Sequence, residues 1–176
     1  MKIYTTTGDA GQTSFFDGSR APKFSMAFQV LGEVDELSAR IGLLCTHLQD
    51  TIMMRKIQRT LQDFNSHIAT LDKTNRKLPI LSDSLVSELE ETIDEMEKFN
   101  PKLTKFILPG VTTADAVAHL CRTQTRKAER YLIEYRMTEL AELPEVMFKY
   151  MNRLSDFFFV FARWICNISG KIDCFL

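Results

Sequence analysis

The sequence is poor in the residues that would point to several other kinds of protein. Its 176 residues include one tryptophan, three histidines, four cysteines, five prolines and seven glycines. Cys45, Cys121, Cys166 and Cys174 show no CxxC spacing, and no histidine stands at zinc-ligand spacing from them. That argues against a structural zinc site and for reduced, mostly buried thiols. Neither sign of charge is in excess: 22 Lys and Arg face 23 Asp and Glu, for a formal net charge of -1. No global basic field draws the chain to nucleic acid or to an anionic membrane, so any anion site must be local. The longest apolar run, Phe157 to Ala162, is far too short to cross a bilayer. The N-terminus, MKIYTTTGD, lacks an apolar signal core and the Arg-rich, acid-poor character of a transit peptide. The expected compartment is the cytoplasm, and the mitochondrion only with a presequence ahead of this chain. Internal repeats and a Walker phosphate-binding loop are also missing.

What is present is an ordinary globular composition, 45% hydrophobic and 26% charged, at a length that supports one domain with a core. Residues 1–27 carry the breakers Gly8, Gly11, Gly18 and Pro22 and read as a structured loop rather than a helix or a clear strand. Five helical patterns follow over 28–176. The first covers about 28–48, with Phe28, Leu31, Val34, Ile41, Leu44 and Leu48 as its apolar stripe. The second covers about 52–71, where Met54, Ile57, Leu61, Phe64, Ile68 and Leu71 alternate steps of three and four. The third starts at a cap near Ser82 or Asp83 and stops at Asn100-Pro101. The fourth spans about 113–136 after the non-helical link KFILPG, Lys105 to Gly110. The fifth runs from Pro144 to about Ser169, where Gly170 ends it. Long helices, short links and no β pattern predict an all-α protein, an antiparallel five-helix bundle.

The fourth helix carries a second, polar stripe. Asp115, His119, Arg122, Arg126 and Glu129 follow at steps of four, three, four and three, opposite Val117, Cys121, Ala128, Leu132 and Tyr135. A solvated outer face with local ion pairs would look the same. Yet Arg122, Arg126, Lys127 and Arg130 crowd four cations into nine residues with only Glu129 to offset them, a concentration that suits a polyphosphate. His119 alone is most simply an ordinary hydrogen-bonded histidine. On the first helix, Gly32, Asp35, Ala39 and Gly42 share one face that would let another helix approach, and Asp35 would then need a partner such as Arg122. Glu33, Asp35 and Glu36 also fit as acidic residues favoured near a helix start. On the fifth helix Asn152 and Asp156 are one turn apart, ahead of a Phe-rich stretch that reads as core. The loop TTTGDAGQT, Thr5 to Thr13, has hydroxyls and glycines that let backbone N–H groups face an anion.

Four blocks together resemble the PduO-type ATP:cob(I)alamin adenosyltransferase family: IYTTTGDAGQT, GEVDELSARIG, KFILPG with the helix ending RTQTRKAER, and YMNRLSDFFFVFAR. They stand in the family's order over Ile3 to Arg163. The resemblance implies a five-helix bundle assembled as a homotrimer, with active sites between subunits. It implies an ATP-binding loop of Thr5, Thr6, Thr7, Gly8, Asp9, Gly11 and Thr13, with Lys23 on phosphate. It also implies ATP contacts from Arg126, Lys127, Glu129, Arg130, Asn152 and Asp156, and an Asp35–Arg122 ion pair between subunits beside the site. Phe106 matches the aromatic ring under the lower face of the corrin. The implied substrates are ATP and cobalamin, with Mg²⁺ carried mainly by ATP and Asn152 a further candidate contact. Implied partners are other copies of the chain, a reductase and an adenosylcobalamin-dependent acceptor enzyme, with no nucleic acid and no membrane.

The implied reaction is alkyl transfer. Co(I) attacks the 5′ carbon of ATP, adenosylcobalamin forms and triphosphate leaves. Departures from the family pattern are Thr6 where a cation is frequent, Lys127 in place of an arginine, Val111 in place of a glycine, and a short segment after the fifth helix. The alternative is a non-catalytic ATP- or cobalamin-binding carrier or sensor of the same fold, against which the presence together of Asp35, Arg122, Arg126, Glu129, Arg130 and Asn152 argues.

Overall fold

The computed structural model describes Tyr4 and residues 6–74, 77–139 and 141–175. Five helices are present among them: α1 Met26–Cys45, α2 Ile52–Ile68, α3 Ser84–Glu97, α4 Thr113–Glu139 and α5 Glu145–Ile168. Four short strands join them: β1 Gln12–Ser14, β2 Arg20–Pro22, β3 Ile107–Leu108 and β4 Cys174–Phe175. The apolar stripes expected from spacing become the core. Val34, Ile41 and Leu44 of α1, Met54, Ile57, Leu61, Phe64 and Ile68 of α2, and Val117, Cys121, Ala128, Leu132 and Tyr135 of α4 are all buried. Phe157, Phe158 and Phe161 of α5 are buried against one another, with ring centroids 5.3 and 5.5 Å apart. Each such phenylalanine contributes about 2–3 kcal/mol by leaving water. Burial pushes the Cys121 thiol up to about 12, so this cysteine is inert packing. All four cysteines are free, and only Cys174 is exposed.

Consecutive helices run in opposite directions. Helices three and five must then point the same way, and the ion pairs between them show it: Asp83 with Lys149, Glu90 with Arg153 and Glu97 with Arg163 ascend in step. The bundle is therefore alternating along the chain, but α3 and α5 are parallel neighbours.

The N-terminal segment is not the strandless loop expected. β1 and β2 form an antiparallel hairpin in which Thr13 faces Ala21. Phe15, between the strands, is buried and stacks on Phe28 of α1 at 4.5 Å. The hairpin also explains why α2 stops at Ile68, short of Leu71. The Phe16 N–H donates to the Ala69 carbonyl at 2.8 Å, and the Asp17 carboxylate accepts the Leu71 and Asp72 amides at 2.7 and 3.0 Å. Nothing in the apolar period announces that substitution of partners.

The opposite end holds the link before α4. β3 pairs with β4, so the segment after α5 closes on the link. α5 ends as expected at Gly170, whose φ of 69° lets its amide and that of Lys171 turn back to the Asn167 and Cys166 carbonyls.

Candidate polyphosphate and corrin site

α4 supplies the axis of the site. It starts at a capping box, because Thr112 and Asp115 stand three apart. Asp115 is buried and accepts the Gly110, Val111 and Thr112 amides and the Thr112 hydroxyl, while its own amide donates to Thr112 Oγ1 at 3.1 Å. Burial opposes its ionisation most strongly, but those hydrogen bonds outweigh it and hold the carboxyl below the usual range. Asp115 is thus a helix cap that fixes the link carrying Phe106. That link presents the Phe106 ring to solvent, 84% exposed.

One turn on, His119 is buried, packed edge-on to Phe159, and accepts a hydrogen bond at Nδ1 from Arg122 Nε at 3.3 Å. This bond places the histidine proton on Nε2. Burial, aided by the Arg122 charge, pulls His119 below its ordinary value against Asp115 and Asp173. Arg122 is half-buried, and burial together with Arg126 weakens its hold on its own proton. Among the described residues it has no carboxylate partner. Asp35, the partner anticipated for it, is exposed on α1 and does not pair with it within the chain. Gly32 and Ala39 on the same α1 face are exposed too.

Above Arg122 the site opens. Arg126 and Arg130 are exposed, and no ion pair engages either among the described residues. Asn152 of α5 donates to Glu129 Oε1 at 3.0 Å, so two candidates from distant motif blocks meet beside them. Asp156, one turn further, pairs with Arg153 at 2.9 Å. Lys127 lies on the flank with its ammonium 2.8 Å from Glu33.

The N-terminal candidates gather at the other end of α4. Thr6 has a φ of 58° and its carbonyl accepts the Asp9 amide. The Thr7 carbonyl accepts Arg20 Nη2 at 2.9 Å. Gly11, φ 81°, turns the loop so that its carbonyl takes the Lys23 amide at 2.9 Å. A side chain on Gly8 would come within 3.3 Å of Lys23 Nζ, so glycine there lets the ammonium lie over the loop. Thr13 sits in β1. Thr5 lies outside the described residues. The loop is anchored near the start of α1, where Met26 N–H meets Glu139 Oε1 at 3.2 Å. From Glu139 back to Arg126 is about 20 Å along α4 at about 1.5 Å per residue.

Sequence reasoning missed Glu33, Gln124 and Arg163. Glu33 reads as one of three acids near a helix start, yet it alone is buried, holding Gln29, Gln124 and Lys127. Arg163 is buried and joins Asp173, Glu97 and the Pro101 carbonyl beneath the Phe106 link. Only the three-dimensional meeting of helices reveals either.

The cations line an open face rather than a hole. A cavity of about 750 Å³ between the α1–α2 turn, α3 and α5 is lined by Met53, Phe99, Trp164 and Ile168 and includes no α4 cation. Among the described residues no group of three or more His, Cys, Asp or Glu converges where a metal ion could be held. None of the described helices is long and apolar enough to cross a membrane.

An arginine stripe unmatched by carboxylates among the described residues, a glycine-bearing loop and a solvent-facing aromatic ring describe a class: a mostly helical protein with a candidate anion-binding face. Comparison with known proteins sharpens that class. The cobalamin adenosyltransferase family profile matches residues 3–165, and the chain belongs to that family. A cobalamin adenosyltransferase of Cupriavidus metallidurans is 40% identical over 98% of this chain and 92% of its own length. A corrinoid adenosyltransferase of Bacillus subtilis is 39% identical over 98% and 91%. A variant of the PduO-type ATP:corrinoid adenosyltransferase from Lactobacillus reuteri, solved with cobalamin and ATP, superposes with a TM-score of 0.92 at 30% identity over 99% of each chain.

Proposed function

We infer that the chain transfers the 5′-deoxyadenosyl group of ATP to cob(I)alamin, forming adenosylcobalamin and releasing triphosphate. The observation that carries this reading is the exposed pair Arg126 and Arg130, engaged by no carboxylate among the described residues and set beside the Glu129–Asn152 contact. In a family whose relatives act on ATP and corrinoids, such a pair is placed to take a triphosphate.

In the reaction the Co(I) lone pair forms the bond to C5′ as the C5′–O bond breaks, and the triphosphate departs with that bond's electrons. The metal is the nucleophile, so the protein needs none of its own. Its tasks are to hold C5′ in line with cobalt and to neutralise the charge gathering on the leaving group. Arg126 and Arg130 do the second, with Lys23 and the amides of the Thr5–Thr13 loop. Glu129 and Asn152 position the nucleoside, and Asp156 supports that end of α5. Mg²⁺ arrives on the triphosphate, and the Asn152 side-chain carbonyl is the one further contact we assign to it. Phe106, held out by the Asp115 cap, lies under the corrin, where an apolar ring in place of a nitrogen ligand makes Co(II) easier to reduce.

The loop is anchored beside the C-terminal end of α4, away from Arg126, and we read the site as shared: the loop of one subunit meets α4 of the next in a homotrimer. The exposed Gly32-Asp35-Ala39 face supports this assembly, as does an Arg122 that meets no carboxylate among the described residues. Free buried thiols favour the cytoplasm as its compartment. A reductase that supplies Co(I) and an enzyme that accepts adenosylcobalamin are its functional partners.

The test is an anaerobic assay with ATP, Mg²⁺ and chemically reduced cobalamin, followed by the absorbance change as the cobalt–carbon bond forms. Arg126→Ala is expected to lower the rate about 100-fold or more with unchanged helical circular dichroism. Activity within about threefold of the unsubstituted chain would refute the role of Arg126.

A further inference from the structure

Lys127 stands in sequence among the α4 cations, but its ammonium is already taken. Glu33 is buried between α1 and α4, 5% exposed, and its carboxylate accepts Lys127 Nζ at 2.8 Å, Gln29 Nε2 at 2.7 Å and Gln124 Nε2 at 2.7 Å. Gln124 also bonds the Glu33 carbonyl at 3.0 Å, closing the cluster across the two helices. Burial opposes ionisation of Glu33 most strongly, yet Lys127 and Gln124 outweigh it, and the carboxyl is held below its usual range. The Lys127 ammonium is in turn stabilised by its hydrogen bond to Glu33. A buried carboxylate stripped of its cation is costly, so this pair resists being opened.

We propose that Glu33 is a positioning residue of the phosphate site: it keeps Lys127 on the α1 flank and leaves the triphosphate to Arg126 and Arg130. This rests on the reading that triphosphate binds along α4. Lys127 follows Arg126 in sequence and is turned about 100° around the helix from it. Glu33 fixes that turn toward α1. The consequence is kinetic. The product is a polyanion that must leave before the next turnover, and a cation that binds substrate and product alike slows release without aiding the chemical step. An ammonium neutralised by a buried carboxylate adds nothing to that retention, although its side chain is 43% exposed and long enough to swing outward.

The experiment is calorimetric titration of inorganic triphosphate into the full chain and three variants: Glu33→Gln, Lys127→Met and the double substitution. Glu33→Gln frees the ammonium and is expected to tighten triphosphate at least about fivefold. With it, kcat and the KM for ATP should fall together as product release slows. Lys127→Met should stay within about twofold of the unsubstituted chain, and the double variant should lose the gain. Weakening of about tenfold or more in Lys127→Met would make Lys127 a phosphate ligand and overturn the proposal. So would a gain that persists in the double variant, or a Glu33→Gln chain that only melts earlier without binding more tightly. Should Glu33→Gln not fold, Lys127→Met alone decides, because a ligand lysine and a Glu33-held lysine differ in that single affinity. Failure of the underlying reading looks different: triphosphate would then bind Arg126→Ala as well as it binds the unsubstituted chain.

Discussion

His119 is buried between the acid-side cap of α4 and the arginines, and its Nδ1 works as an acceptor for Arg122 Nε. Protonation would turn that acceptor into a donor facing a guanidinium. Phe159 covers the ring, Asp115 lies a turn below and Asp173 approaches from the C-terminal segment. Burial first, and Arg122 second, set the folded-state pKa below the ordinary 6.5. The unfolded chain therefore binds the proton more readily. Stability linked to His119 is fully present above about pH 6.5 and is lost as pH falls toward the lower folded-state value. The melting temperature should drop between about pH 7.5 and about pH 5.5, and His119→Asn, which keeps an acceptor near Nδ1 but cannot titrate, should flatten that drop. An equally steep profile in the Asn variant would show that other groups carry it. This residue was visible in the sequence as a member of the polar stripe, and the ordinary hydrogen-bonded histidine is what the structure contains. What spacing could not give was its partner or the tautomer.

At the scale of elements, the start of α4 controls the link that carries Phe106. Asp115 accepts three backbone amides there, and only a charged carboxylate serves all of them. Asp115→Asn turns one acceptor oxygen into an NH2 group facing N–H donors. The loss should be about 2 kcal/mol, read from urea unfolding. In the assay the KM for cobalamin should rise while the KM for ATP holds, because Arg126 and Arg130 lie about three to four turns above the cap; a parallel rise in both would assign Asp115 to the whole fold instead. The helices themselves were legible because 3.6-residue periodicity is written locally, as Met54, Ile57, Leu61, Phe64 and Ile68 demonstrate. The hairpin was not, since three-residue strands leave no period to detect. The early end of α2 was not either: Asp17, 54 residues from Leu71, supplies the amide acceptor that replaces another helical turn. Glu33 illustrates the same limit within the site. Its neighbours Asp35 and Glu36 share its chemistry, and only the crossing of α1 and α4 selects it for burial.

For the whole molecule, the question is where Asp35 finds its cation. It is exposed on α1, whereas Arg122 is half-buried on α4, and that burial weakens its hold on its proton. Neither meets an opposite charge in its own chain among the described ion pairs. A carboxylate from a neighbouring copy would satisfy Arg122, and the small residues Gly32 and Ala39 would let that neighbour's α1 come close. Asp35→Arg sets two cations against each other at such a contact, and Arg122→Asp sets two anions. Each single variant should elute as smaller species in light scattering and lose most of its transferase activity. Mixing the two should restore two of the three contacts in each trimer, and with them part of the assembly and part of the rate, since the arginine introduced on α1 of one chain then faces the aspartate introduced on α4 of the next, while the third contact still sets like charges together. Complementation of this kind cannot arise from a pair within one chain, because neither partner in the mixture carries both new residues. Mixtures that remain small and inactive, beside an Asp35→Arg/Arg122→Asp double variant that regains both, would place the pair inside the subunit and break the case for a shared site.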